Sequence, residues 1–189
     1  MENAPETEAK TRDVRDYWKV MSPRLTVLVT TMDSKGNVDV SPFSFVTPVS
    51  FEPPLLMVAM ALNKHAYNDI LMKKEFVVNI PTEKLLEKVW IAGGSYDPDV
   101  SKIEKAGLAV VKSKKVGPPS LSECVASIEC YLEDARKIGD HVAIIGKIVA
   151  MHINEEFVDS EGRLKVDMVR PPLHVADNLF AFPYVTKSV

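Results

Sequence analysis

The sequence predicts a mainly β fold, a closed antiparallel barrel carrying a few short inserted helices. Two observations point there. Runs rich in Val, Ile, Thr and aromatics, bounded by Gly, Pro and Asp, recur along the 189 residues, while segments with helical spacing are short and lie between them. No internal repeat, low-complexity tract or linker interrupts the chain. Residues 21–189 therefore read as one domain, preceded over residues 1–20 by a tail and a short helix.

Residues 1–11 are polar and acidic and read as a mobile tail. Residues 12–20 suit a short helix packing Val14, Tyr17 and Trp18 onto the body. A Val/Thr-rich strand over 25–31 leads through the turn Asp33-Ser34-Lys35-Gly36 into a second strand over 38–51. Pro42 and Pro48 lie inside that second run. Proline cannot donate to a ladder, so this strand is expected to be an edge, bulged, or interrupted where a ligand docks. The apolar run at 55–62 follows Pro53-Pro54 and reads as a strand buried on both faces. A helix over 64–73, a strand over 76–80 and a helix over 82–92 come next, with Gly93-Gly94 closing the last. A short helix over 100–106 stops at Gly107. The second half is β-rich. A strand through Leu121, Cys124, Ala126, Ile128, Cys130 and Leu132 turns near Gly139 into a long strand over 141–153. Residues 154–166 look like a charged loop or hairpin around Gly162, and Pro171-Pro172 introduces a last apolar segment over 173–182.

Composition narrows the function classes. At 46% hydrophobic and 26% charged, the chain reads as soluble and globular. A net charge of -3 and a pI near 5.8 argue against a nucleic-acid or polybasic membrane role. The apolar run at 55–62 is far shorter than the about 20 residues of a membrane helix. Residues 1–10 lack an apolar signal core, so the expected compartment is the cytoplasm. Cys124 and Cys130, six apart on one strand, cannot pair within it and read as buried thiols. There is no GxGxxG, Walker A or GxSxG motif. His65, His141, His152 and His174 are scattered, and no metal site is expected. These absences favour chemistry borrowed from a bound organic cofactor.

The stretch 30–50 says which kind. Ser41, Ser44, Thr47 and Ser50 are threaded through a strand otherwise built from Val, Phe and Pro. Hydroxyls on a half-buried strand need partners, either neighbouring backbone or a ligand with many acceptors and a large apolar body. A flavin nucleotide is such a ligand. Ser22-Pro23-Arg24, Ser41-Pro42-Phe43-Ser44-Phe45, Val49-Ser50-Phe51, Pro53-Pro54, Lys64-His65-Ala66-Tyr67 and Gly139-Asp140-His141 follow one another in an order that resembles the flavin reductase-like, FMN-binding split-barrel family, including flavoredoxins.

That resemblance implies an antiparallel, Greek-key split barrel that dimerises and holds FMN, sometimes FAD, near the subunit interface. Electrons would come from NAD(P)H, or from a redox protein, and pass through the flavin to an acceptor. A flavoredoxin-like carrier without its own nicotinamide site is the alternative. The cofactor-binding residues carried over are Thr31, Ser41, Pro42, Phe43, Ser44, Phe45, Ser50, Lys64, His65, Ala66 and Tyr67. Ser41 to Phe45 would lie along the ring and ribityl chain. Lys64 and the helix start after it would receive the phosphate. His141 would sit near the reactive face, where an imidazole can bind nicotinamide or relay a proton. Relatives often carry Ser or Thr where this chain has Ala66. Several other residues have blander readings: Trp18 and Trp90 as core or interface anchors, Asn79 as a turn cap, His174 as packing, and Lys102, Glu104 and Lys105 as a solvated face.

Overall fold

The computed structural model describes residues 11–97 and 99–187; the first ten residues of the expected tail lie outside them. A 3-10 turn (Val14–Asp16) and a single-turn helix α1 (Tyr17–Val20) precede β1 (Arg24–Leu25). Strands β2 (Val27–Met32) and β3 (Val38–Phe43) form one hairpin, and β4 (Val46–Ser50) and β5 (Leu55–Ala61) a second. Helix α2 (His65–Lys73) leads to β6 (Glu75–Ile80), and α3 (Leu86–Ala92) and α4 (Lys102–Lys105) follow. A short ribbon, β7 (Val110–Val111) with β8 (Ser120–Leu121), precedes the long hairpin β9 (Ala126–Ile138) and β10 (His141–Ile153). Helix α5 (Val166–Val169) and the hairpin β11 (Leu173–Ala176) and β12 (Leu179–Ala181) complete the order.

The turn chemistry explains both main hairpins. Asp33 Oδ1 accepts from the N–H groups of Lys35 and Asn37, each at 2.8 Å, and Gly36 takes the positive φ of 92°. Gly139, at φ 61°, is the first of the two residues linking paired Ile138 and His141, where a type II′ turn requires glycine.

Seven strands form one antiparallel sheet in the order β3-β2-β6-β9-β10-β5-β4. Its outermost strands, β3 and β4, are joined only by Ser44 and Phe45. The sheet is therefore rolled until its edges meet, leaving a seam rather than a ladder between them. The proline run is an edge, broken and bulged: β3 and β4 are edges, the run breaks at Ser44–Phe45, and the register shifts between Pro48 and Ser50.

Period-2 alternation fills the barrel. Val27 and Val29, Leu56, Val58 and Met60, Phe76 and Val78, and Val142 and Ile144 point inward, and Ala66 and Ile70 of α2 plug one end. Gly146 leaves room for Phe76, because a Cβ there would stand 2.4 Å from the Phe76 ring. Outside β2, Leu28 and Val40 pack against Val89 and Ala92 of α3.

Several expectations are corrected. The strand buried on both faces is β2; in β5 burial alternates, because no helix covers its outer side. Val14 and Tyr17 are exposed rather than packed on the body, since the single-turn α1 is too short to dock a face. Cys124 precedes β9 instead of lying in it. Both thiols are free, and burial pushes each up to about 12, so they are chemically quiet.

Asn79 is no turn cap. It is fully buried in β6, donating to the Leu28 carbonyl at 3.0 Å and accepting from Leu121 N–H at 3.0 Å and Ser127 Oγ at 2.8 Å. Its amide adds side-chain bonds to the β2–β6 and β6–β9 ladders and ties in β8, which belongs to a separate ribbon. Glu129 is likewise buried, accepting from the backbone N–H groups of Lys114 and Lys115 at 2.8 and 2.6 Å and from His152 Nε2 at 2.9 Å. Burial alone would raise its carboxyl; the two N–H groups and His152 outweigh that and hold it below the ordinary glutamate value.

A carboxyl lowered on folding contributes stability above its unfolded pKa, and that contribution disappears as pH falls through the folded value. Glu129→Gln is accordingly expected to destabilise the protein by about 2 kcal/mol near neutrality. Urea titrations should show the gap to the parent closing as the medium is acidified below the ordinary glutamate range. A gap independent of pH would contradict this assignment.

Candidate functional site

Beside the end of β3 lies a hollow of about 390 Å³. Pro42, Phe43 and Ser44, at the end of β3, form its floor. One wall is α3 and the loop after it, through Val89, Trp90, Gly93, Gly94 and Tyr96. The opposite wall is the β11–β12 hairpin, through His174, Asp177 and Phe180. β11 is held there because it pairs with β1 in the register Arg24 to His174 and Leu25 to Leu173.

Two glycines bring the first wall close. A Cβ on Gly93 would stand 3.0 Å from Pro42 Cγ, so helix and floor approach only because it is absent. A Cβ on Gly94 would lie 2.5 Å from the Tyr96 hydroxyl oxygen, which donates to the Ile91 carbonyl at 2.8 Å. The tyrosine ring is folded back over the glycine and closes the loop.

The lining is apolar and aromatic with a few polar points. Ser44 Oγ lies 3.3 Å from His174 Nδ1. Thr26 Oγ1, buried at the edge of the hollow, has no hydrogen-bond partner among the described residues. Beside it, Arg24 stacks over the rings of Phe45 at 5.4 Å and Trp18 at 5.9 Å. Its Nε is also buried without a partner, and no carboxylate pairs with it among the described residues. Buried groups left unsatisfied are rare and costly, and they concentrate where a ligand or function compensates.

Immediately beyond Ser44 a second group assembles. The Phe45 carbonyl accepts from Ala59 N–H at 2.8 Å, and its ring stacks on His141 with centroids 5.6 Å apart. His141 Nδ1 lies 2.7 Å from Asp140 Oδ1. A carboxylate only accepts, so Nδ1 carries the hydrogen and Nε2 keeps a free lone pair in the neutral ring. The hydrogen bond from His141, with its charge, lowers the Asp140 carboxyl. His141 also pairs in register with Ala61, whose carbonyl accepts from Lys64 N–H at 3.1 Å. Thus the N-terminus of α2 follows directly. Lys64 is its extended N-cap, and no side chain caps the helix. Of its first-turn N–H groups, that of Tyr67 turns back to the Lys64 carbonyl at 3.2 Å, while those of His65 and Ala66 have no intrahelical carbonyl in reach.

The carried-over residues are divided by this geometry. Pro42, Phe43 and Ser44 line the hollow, and Phe45 and His141 stack just past it. Lys64, His65, Ala66 and Tyr67 form the separate helix end, where Ala66 is buried in the core and Tyr67 packs against it. Thr31 is fully buried elsewhere, its Oγ1 donating to Asp69 at 2.9 Å. Burial pushes the Asp69 carboxyl up; the Thr31 bond opposes this, while Asp39 and Asp33 add to it. Ser50 lies at the far end of β4. Ser41 is engaged by Lys102 Nζ at 3.0 Å, and Lys102 also pairs with Asp39 at 3.1 Å. Lys102 is therefore no solvated lysine: α4 packs on β3 and largely buries its side chain.

Arg24, Thr26, Gly93, Gly94, Tyr96 and Phe180 were not singled out as ligand contacts by sequence reasoning. Only Ser22-Pro23-Arg24 and the Gly93-Gly94 pair left a local signal, and neither said which surface it faced. A second hollow of about 330 Å³, bordered by Lys112, Lys114, Cys124 and His152, has no aromatic carbocycle in its lining.

Residues 21–177 match the family described as the flavin reductase like domain. The chain belongs to the flavin reductase-like family. An uncharacterized protein of Archaeoglobus fulgidus is 35% identical to this flavin reductase-like chain over 149 residues, covering 79% of this chain and 83% of the relative. Among solved structures, nitrilotriacetate monooxygenase component B from Bacillus cereus superposes with a TM-score of 0.85 at 24% identity, covering 100% of both chains. Flavoredoxin of Desulfovibrio vulgaris (Miyazaki F) superposes with a TM-score of 0.78 at 20% identity, covering 100% of this chain and 96% of the other. The fold is that of the split-barrel flavin reductase-like proteins.

Proposed function

We propose that this flavin reductase-like protein is an FMN-binding oxidoreductase that passes electrons from NAD(P)H through bound flavin to an acceptor: free flavin, a ferric chelate or a protein. The hollow beside the end of β3 carries the reading. Its volume lies in the range of organic-ligand pockets, about 300–1,000 Å³, and its lining pairs apolar walls with a few polar points. A flavin ring has the complementary character, a broad apolar body with a polar edge. The unpartnered Thr26 hydroxyl fits such a guest, because a ligand in the hollow gives the polar wall a use.

Bound flavin supplies the hydride-accepting chemistry; the chain supplies binding, orientation and shelter from water. Pro42 and Phe43 would lie along the ring, and Ser44 would meet its polar edge. His141 would take or return a proton at Nε2, the nitrogen that Asp140 leaves free. The open N–H groups of α2 and the Lys64 charge would receive the phosphate. Ala66, buried in the core, offers only its backbone there. Asp39 and Asp33 both act on Asp69 of α2 as like charges, so the β2–β3 side of that helix is the less favourable one for an anion. The phosphate would accordingly approach from the side of Ala61 and His141.

A flavoredoxin-like carrier, exchanging electrons only with a protein partner, is the second reading. Its support is the fold shared with flavoredoxin of Desulfovibrio vulgaris (Miyazaki F).

Anaerobic mixing of the FMN-loaded protein with NADH or NADPH separates the two. Bleaching of the flavin band is expected, and a band unchanged by either nicotinamide would leave only the carrier. Lys64→Ala is expected to weaken FMN binding about fivefold, the size of an about 1 kcal/mol charge contact. An unchanged dissociation constant removes Lys64 from the phosphate site. His141→Ala is expected to slow flavin reduction about a hundredfold while FMN affinity changes little. The reverse pattern would make His141 a binding residue.

A further inference from the structure

One wall of the hollow carries a hydrogen-bond chain to which the proposed electron transfer assigns no role. Ser44 Oγ lies 3.3 Å from His174 Nδ1, and His174 Nε2 lies 3.1 Å from the carbonyl oxygen of Asp177. A carbonyl oxygen can only accept, so Nε2 carries the ring hydrogen. In the neutral ring Nδ1 then has only a lone pair, and Ser44 is the donor to it. The ring is held for this task by β1–β11 pairing and by Phe180, whose ring centroid is 5.2 Å away.

We propose that His174 is a positioning residue that acts on the ligand through Ser44. By holding the Ser44 hydrogen it turns that hydroxyl into an acceptor toward the hollow, so the site takes a ligand that presents N–H at this point. Naming the ligand rests on the flavin reading, since the polar edge of a flavin carries a ring N–H between two carbonyls. Protonation of His174 reverses the polarity. Nδ1–H then donates to Ser44, the serine hydrogen turns to the hollow, and a ligand N–H meets a donor.

The charged and titratable groups around His174 are few. Arg24 lies opposite it in register on β1. Asp177 holds Nε2 through its carbonyl and lines the same hollow. Tyr96 faces it across the hollow, with its hydroxyl committed to Ile91. Among the described residues, Ser44 Oγ has no hydrogen-bond partner other than His174.

Two measurements test the proposal. Ring nitrogen chemical shifts of labelled protein should show His174 as the Nε2–H tautomer, with Nδ1 shifting in Ser44→Ala; an Nδ1–H tautomer overturns it. FMN titration followed by flavin fluorescence should show Ser44→Ala and His174→Ala each weakening binding about tenfold, with the double variant no weaker than either. Losses that multiply to about a hundredfold would show that His174 does not act through Ser44. His174→Asn, whose Oδ1 stands in for Nδ1, should restore affinity. It should also flatten the fall in FMN affinity that the parent shows on acidification. A pH profile identical in parent and His174→Asn counts against the proposal. Should the parent take up no FMN, the flavin reading fails, and the tautomer measurement alone decides the proposal.

Discussion

Ser44 and Phe45 carry the chain from one edge of the seven-stranded sheet to the other, and the rest of the molecule follows from that step. Three backbone steps separate Phe43 from Val46 and reach about 11 Å at most. A flat seven-stranded sheet would hold its edges about 29 Å apart, six spacings of about 4.8 Å. The sheet must therefore roll, which turns one face into an enclosed core. The edges it brings together are the two that contain Pro42 and Pro48, residues unable to donate to a ladder. They meet without zipping, and the hollow lies beside the end of β3, walled by α3 and the β11–β12 hairpin.

The polar groups sort themselves around this hollow. Away from it, burial comes with satisfaction. Asn79 ties four strands, Glu129 holds the segment at Lys114–Lys115 and His152, Thr31 meets Asp69, and Ser41 meets Lys102. These are structural because their valences are used. At the hollow the pattern changes: among the described residues, Thr26 Oγ1 and Arg24 Nε are buried and unpartnered, and Ser44 is tied only to a histidine. Surplus hydrogen-bonding capacity beside an apolar hollow is the physical signature of a binding site.

Much of the barrel was legible in the sequence. The turns at Gly36 and Gly139, the proline-broken run and the helix start at Lys64 each depend on local backbone chemistry, and each lies where that chemistry puts it. Pro42, Phe43 and Ser44, the floor of the hollow, were legible as one group for the same reason: they are contiguous. The errors came where a residue's partner is distant in sequence. Asn79 read as a turn cap because nothing nearby in sequence mentions Leu121 or Ser127. Lys102 read as solvated because Asp39 is 63 residues away by chain and adjacent only once α4 docks on β3. The apolar run in β5 and the mixed run in β2 gave opposite impressions of burial, because what covers an outer face is set by which helix packs there.

By itself, then, the sequence determined a mainly β chain, the order and turns of its strands, the discontinuity at Pro42–Pro48, and the membership in a family that the match over residues 21–177 shows. Tertiary structure alone decided that Thr26, Ser44, Trp90 and His174 share one hollow, although they come from four separated segments. It also decided that Ser41 and Thr31 are turned away from that hollow and committed elsewhere. The reason is the range of the forces involved. Backbone preference and period-2 patterning act over a few residues and can be read in line, whereas a site walled by distant segments exists only after folding brings them within hydrogen-bonding distance.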